Sequence, residues 1–253
     1  MHLNVAHDFL PKSPTANASI VMDHFGVGFE TGRHLVAENF FLPLQPGQIV
    51  AFTGPSGSGK SSLMRAASQQ LENTLNIDSL PLGDRLLIDS LPLPVNDAVA
   101  LLASCGLGEA RLLLRTPHEL SDGQRYRFRL ALALSRKPNW IIADEFTAAL
   151  DRTLAKVIAY NLRRHADRTA VGFLVATTHE DTLDDLAPDL HVRCQLNTAP
   201  ALQLGNAPAQ TAAQKKRASR SQINSNSRRV AGKTGRTFLG GIIAPTTSAS
   251  SAG

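Results

Sequence analysis

The chain has 253 residues, of which 43% are hydrophobic, 19% charged and 5% aromatic, enough for one sizeable core with appendages and too few for two full domains. No window approaches the ~20 consecutive apolar residues of a membrane span, and the opening MHLNVAHDFL lacks a charged and then apolar leader, so spanning and secretion are excluded on pattern. The formal charge of +5 is unevenly spread: eight of the 26 Lys and Arg fall in residues 206–253, which hold no acid, leaving a mildly acidic body.

Residues 1–17, with Pro11 and Pro14, read as a flexible N-terminal arm. From 18 to about 45, the short apolar runs SIVM, HLV and NFFLPL between Gly and polar residues predict antiparallel strands. QIVAFTG predicts a buried strand that enters the glycine-rich PSGSGK and a helix from about Ser61 to Leu71. DRLLIDSL predicts a further strand, and VNDAVALLASCGLG a short amphipathic helix closed by glycine. A helix is predicted from Ser121 to about Lys137, then a buried strand in NWIIADE. The next helix, in DRTLAKVIAYNLRRHAD, has Leu154, Val157, Ile158 and Leu162 on its apolar face, and AVGFLVATTH predicts another strand. Strands alternating with helices predict an α/β domain over residues 18–205, with a mostly parallel sheet covered on both faces. Residues 206–253, basic and poor in apolar side chains, read as a disordered tail, either simply solvated or able to contact the phosphates of a nucleic acid without sequence preference. The two cysteines, Cys105 and Cys194, stand far apart with no metal-ligand spacing around them, which signals neither a disulfide framework nor a zinc site and points to a cytoplasmic chain.

Gly54, Pro55, Ser56, Gly57, Ser58, Gly59, Lys60 and Ser61 fit G-x-x-x-x-G-K-S/T between a strand and a helix. Such a loop lets backbone amides and a helix N-terminus close around a phosphate. Lys60 is expected to neutralise the β- and γ-phosphates of a nucleotide, and the Ser61 hydroxyl to ligate Mg2+. About eighty residues on, Asp144 and Glu145 end a buried strand, where open parallel sheets carry their ligand chemistry. Asp144 is expected to hold the metal and Glu145 to polarise an attacking water.

Leu120-Ser121-Asp122-Gly123-Gln124 resembles the LSGGQ signature of ABC ATPases and begins twenty-four residues before Asp144. Ala148-Ala149-Leu150-Asp151 resembles that family's D-loop, and His179, ending FLVATTH, its switch histidine. The resemblance covers about residues 18–195 and is nearest to stand-alone bacterial and phage-type ABC ATPases, including those fused to a predicted acetyltransferase domain. It implies a P-loop NTPase fold with an antiparallel β subdomain and a short helical subdomain, and an ATP hydrolase using ATP and Mg2+. It also implies a head-to-tail homodimer, each ATP lying between the phosphate loop of one copy and Ser121 and Gly123 of the other. By the same resemblance Ser62 and Gln124 add nucleotide contacts, His179 fixes the γ-phosphate, and Asp151 carries information across the dimer. The family stacks an aromatic side chain on adenine; Phe29 is the candidate here and Phe25 its competitor.

Three departures accompany the resemblance. Asp122 replaces a glycine and brings a carboxylate that would slow hydrolysis. The family's Q-loop glutamine is missing; Asp89 stands in its expected place, either binding Mg2+ through water or serving only as a turn residue. The 32 residues from Asp89 to Ser121 are short for a helical subdomain that docks a membrane partner. With the basic tail, the missing glutamine and the short insert favour a soluble ATPase that works on a nucleic acid or protein, the alternative being the ATP-binding subunit of a membrane transporter with a separate permease, while Asp122 and Asp89 point to a module that barely hydrolyses.

Overall fold

The computed structural model describes residues 1–146 and 148–205, and the basic tail over 206–253 lies outside them. In chain order the elements are β1 (His2–Phe9), α1 (Ala16–Phe25), β2 (Gly32–Phe41), β3 (Ile49–Thr53), α2 (Lys60–Gln69), β4 (Thr74–Asn76), α3 (Val95–Ser104), α4 (Ala110–Leu113), α5 (Asp122–Ser135), β5 (Trp140–Ala143), α6 (Arg152–Arg168), β6 (Gly172–Thr177), α7 (Leu183–Leu186), β7 (Leu190–Gln195) and β8 (Thr198–Leu204). One sheet has the order β4-β5-β6-β3-β7-β8, and β1 and β2 form a separate antiparallel pair. All neighbours in the larger sheet run parallel except β7 and β8.

Alternation along the central strands sends side chains to two cores. Ile49, Ala51, Ile141, Phe173 and Val175 face α5 and α6, where Phe128, Leu130, Ile158 and Leu162 are buried. Val50, Phe52, Ile142, Leu174 and Ala176 face the other way, against Leu63 and Met64 of α2 and Leu3 and Val36 of the antiparallel pair. Burial on both faces is why β3, β5 and β6 read as continuous apolar runs. The register pairs Thr53 with Thr177 and Ala143 with Val175, so β3, β5 and β6 release their following loops at one carboxyl edge. At the opposite edge, buried Arg163 of α6 bridges Asp167 at 2.7 Å and Asp189 at 2.9 Å, and Asp189 also accepts from the Ile49 N–H at 2.7 Å.

The structure departs from the sequence reading at several places. Residues 2–9, expected to be a loose arm, form a strand because Leu3 and Val5 alternate inward and β2 supplies the ladder. SIVM lies in helix α1 rather than a strand: Thr15 accepts from the Ala18 N–H at the start, and Gly26 ends the helix at φ 63°. These caps outweigh the β-branched run, and α1 buries none of its residues. DRLLIDSL forms no strand; Leu87 is buried, its N–H donating to the Arg115 carbonyl, and Ile88–Ser90 is a 3-10 turn. The strand beside β5 is β4, only three residues long and not expected from the sequence. In α6 the inner face runs through Ala155, Ile158, Ala159, Leu162 and Ala166, and Val157 is 49% exposed.

Candidate nucleotide site

The glycine-rich loop emerges from β3 and closes into α2 with Gly59 as its N-cap residue. Gly54 adopts φ 137°, and a Cβ there would run into the Cys194 carbonyl oxygen of β7, so both conformation and space demand glycine. Lys60 is 9% exposed and folds back over the loop, donating to the carbonyl oxygens of Gly54 at 2.8 Å and Pro55 at 2.7 Å. Ser58, also buried, donates to the same Pro55 carbonyl at 2.8 Å. The loop is thus braced by its own side chains and leaves an open cavity of about 250 Å³ at the N-terminus of α2.

Four chain segments meet in that cavity: Ser56, Gly57, Gly59, Lys60, Ser61 and Ser62 from the loop and α2, Asp144 and Glu145 from the end of β5, Thr177 and Thr178 from the end of β6, and His7 from β1. Hard oxygen donors on Ser61 and Asp144 in one cavity fit a magnesium ion that shares its coordination with phosphate oxygens. Among the described residues no cluster of three or more His, Cys, Asp or Glu is arranged as an all-protein metal cage. Glu145 is exposed and held at φ 48°, the left-handed region that non-glycine residues avoid. Its N–H donates to Asp144 Oδ1 at 3.1 Å, and the next residue, fully buried Phe146, donates to the Ala176 carbonyl at 3.0 Å. These anchors hold the carboxylate out over the cavity in a backbone conformation it would not choose.

The signature segment forms the start of α5. Ser121 is its N-cap, its hydroxyl accepting from the Gln124 N–H at 3.4 Å while the Gln124 side chain accepts from the Ser121 N–H at 3.0 Å, a reciprocal capping box. A Cβ on Gly123 would meet the Ala149 carbonyl oxygen at 2.7 Å, so this glycine lets α5 lie against the loop that leads to Asp151. Asp151 caps α6, accepting from the Leu154 N–H at 2.9 Å. Asp122 pairs with Arg125 at 3.1 Å and its side chain is 92% exposed. Ser121, Gly123, Gln124 and Asp151 do not line the cavity at the start of α2.

Other expected residues are placed differently. His179 is half-buried, its N–H donating to Thr177 Oγ1 at 3.0 Å, and the cavity wall is made by Thr177 and Thr178 instead. Phe29 is half-buried and Phe25 is 71% exposed, and neither lines the cavity. Asp89 sits in the Ile88–Ser90 turn, away from the cavity wall, because the strand expected before it does not form.

The carboxylate that does stand beside Asp144 is Asp78, just beyond β4. Burial holds its carboxyl above the usual carboxylate range, and the neighbouring Asp144 charge adds to the rise while Arg129 opposes it. Asp78, Asp144, Glu145 and Tyr126 line a second cavity that adjoins the first through the two shared acids. Among the described residues the buried Tyr126 hydroxyl has no hydrogen-bond partner, and burial pushes its pKa well up. Sequence reasoning missed Asp78, although Leu75 and Ile77 alternate in front of it as a short strand would require. It also missed His7 of β1, which lines the phosphate cavity and lies 3.0 Å from Ser62 Oγ through Nε2.

Several known proteins are similar to this chain in sequence or fold. The ABC transporter family model matches residues 37–89. The phosphonates import ATP-binding protein of Hyphomonas neptunium is 30% identical over 218 residues, covering 67% of this chain and 83% of that protein. A zinc import ATP-binding protein of Pseudomonas putida is 31% identical over 183 residues, covering 64% and 69%. Among solved structures, a dimeric ATP-binding cassette in a post-hydrolysis state with ADP and Pi superposes with a TM-score of 0.52 at 19% identity, over 70% of this chain and 94% of that one. A Clostridium perfringens cassette that is part of an ABC transporter complex gives 0.52 at 19% identity, over 78% and 91%.

Proposed function

This chain belongs to the ABC transporter family of ATP-binding proteins and is an ATPase; from that premise we propose that it is the ATP-binding subunit of a membrane importer whose permease is a separate chain. The observation that carries the reading is the kinship over most of the domain with import ATP-binding proteins. That kinship weighs against the soluble, non-transport role drawn from the sequence. The features behind that role are a missing glutamine, a short insert before α5 and a tail outside the described residues. The finer likeness to ATPases fused to an acetyltransferase has no counterpart among the relatives described above. No described helix is long and apolar enough to cross a membrane.

In the proposed mechanism, the amides at the start of α2 and the Lys60 ammonium receive the β- and γ-phosphates, and Lys60 leaves the Gly54 and Pro55 carbonyls to do so. Ser61 and Asp144 would hold Mg2+, which supplies charge withdrawal from the transferring phosphoryl group. Glu145 orients or deprotonates the attacking water, and Asp78 and Tyr126 fix the polar wall behind it. Ser121 and Gly123 serve the nucleotide of a second copy, so two copies close head to tail, with Asp151 at the junction. His179 and Phe29 would join the site only through movement on nucleotide binding. The chain acts at the cytoplasmic face of the membrane.

Fractionation of the native host tests the transporter reading. The protein should pellet with membranes and come off in alkaline carbonate, as a subunit bound to a permease does; a pool confined to the supernatant would overturn it. Pairing is tested separately by size exclusion of Glu145→Gln with ATP and Mg2+: a dimer is expected, and a persistent monomer counts against the head-to-tail arrangement.

A further inference from the structure

β1 is strapped along α2 at both ends. Near the C-terminal end of the helix, the Gln70 side chain donates to the His2 carbonyl at 3.1 Å. Near its N-terminal end, His7 Nε2 meets Ser62 Oγ at 3.0 Å. β2 fixes the register of this strap, pairing His7 with His34 and Asp8 with Arg33. His7 therefore reaches the phosphate cavity from an element separate from the glycine-rich loop, and its partner is the hydroxyl one position beyond Ser61.

A serine hydroxyl has one proton to donate. If Ser62 spends that proton on His7, its oxygen presents lone pairs to an incoming polyphosphate, which repels them. If His7 donates instead, Ser62 Oγ accepts from the imidazole and its own proton is released toward the cavity. Lys60 is the one lysine or arginine among the residues lining the cavity, while Asp144 and Glu145 contribute negative charge. Each correctly aimed donor therefore matters to binding an anion there.

We propose that His7 is a positioning residue for nucleotide binding: in its Nε2–H tautomer it donates to Ser62 Oγ and turns the Ser62 proton onto a phosphate of the bound nucleotide. The inference rests on the nucleotide-site reading above and adds a residue of β1 to it. His7 acts through Ser62, so its effect appears in nucleotide affinity rather than in the chemical step.

The test is a double-mutant cycle on the full chain, with ATP binding measured by titration calorimetry and KM and kcat by steady-state hydrolysis. His7→Ala should raise Kd and KM for ATP by about fivefold, the size of a net hydrogen bond, with the change concentrated in KM. Ser62→Ala should do the same, and the double variant should be no worse than Ser62→Ala alone. His7→Gln keeps an N–H donor and should recover most of the affinity. Thermal melts of each variant identify any that lose the β1 strap rather than the donor, and His7→Phe, which keeps a ring and removes the donor, replaces His7→Ala if it is one of them. Additive effects of removing the His7 donor and of Ser62→Ala, or unchanged affinity in a folded His7→Ala or His7→Phe, would overturn the proposal. Lys60→Ala separates the two levels of the argument: if it binds ATP normally, the nucleotide site itself is misassigned, whatever His7 does.

Discussion

Glu145 offers a way to separate backbone strain from chemistry at one position. Its φ of 48° places a side chain with a Cβ in the left-handed region, at a cost of about 1–2 kcal/mol. Glycine there removes the steric cost but loses about 0.5–1 kcal/mol more conformational entropy on folding. Alanine keeps the Cβ and hence the strain. At the middle of both ranges Glu145→Gly should therefore be more stable than Glu145→Ala by about 0.75 kcal/mol, or roughly 1.5–3 °C in melting temperature for a domain of this size. Both should lose turnover together with Glu145→Gln, which keeps shape and removes only the charge, by at least about 100-fold for the loss of a general base. Scanning calorimetry gives the stability comparison, and phosphate release under saturating ATP and Mg2+ gives the rates. Equal melting temperatures for the Gly and Ala variants would refute the strain argument. Near-normal turnover by Glu145→Gln would refute the assignment of the base. If both expectations hold, the protein retains a destabilising conformation because it presents a carboxylate to the phosphate cavity.

Two further predictions concern the scaffold. Arg163→Ala leaves Asp189, whose side chain is 13% exposed, without its guanidinium partner, and should cost about 3 kcal/mol, or roughly 6–12 °C in melting temperature; a loss under 2 °C would mean the clamp between α6 and the start of β7 is dispensable. His165 is held neutral by burial, with Arg168 and Lys137 adding to the effect, which pushes its pKa down to about 4. The unfolded chain takes up that proton near the ordinary value of 6.5 and the folded one does not, so the contribution to stability is complete above about 6.5 and is lost as pH falls toward 4. His165→Leu should flatten the fall in melting temperature between pH 7 and 5, and parallel curves for the two proteins would remove His165 as its source.

The parts of the fold legible in the sequence are those whose pattern has one physical cause. β3, β5 and β6 are buried on both faces, so each reads as an unbroken apolar run whichever helices cover it. The glycine-rich loop is legible for a related reason, since Gly54 has no alternative against the Cys194 carbonyl. Where local and tertiary preferences compete, the sequence misleads. SIVM carries β-branched residues, yet Thr15 and Gly26 cap a helix around it. DRLLIDSL looks like a buried strand, yet its apolar residues serve the core without a ladder, Leu87 being buried in a turn. β1 has only Leu3 and Val5 facing inward, too few to stand out among polar neighbours until β2 supplies the pairing.

Those misread segments account for the misread residues of the site. Taking DRLLIDSL as a strand puts Asp89 just past a strand end; in the structure the strand beside β5 is β4, and the carboxylate next to Asp144 is Asp78. Taking residues 1–17 as a loose arm removes His7 from consideration, and the register of β1 on β2 restores it to the cavity. In both cases the residue types were visible and their chemistry ordinary. What the sequence lacked was the strand order, because a carboxylate or imidazole acquires a role only once hydrogen-bonded neighbours fix which edge it leaves from. Motifs that fold locally, such as the loop ending in Lys60 and the capping box at Ser121, carry their geometry with them and survive a wrong assignment elsewhere. Asp144 and Glu145 come from a separate strand and are legible too, because β5 announces itself as an apolar run, whereas Asp78 beyond β4 and His7 on β1 stand on strands whose place is set only by pairing across the sheet.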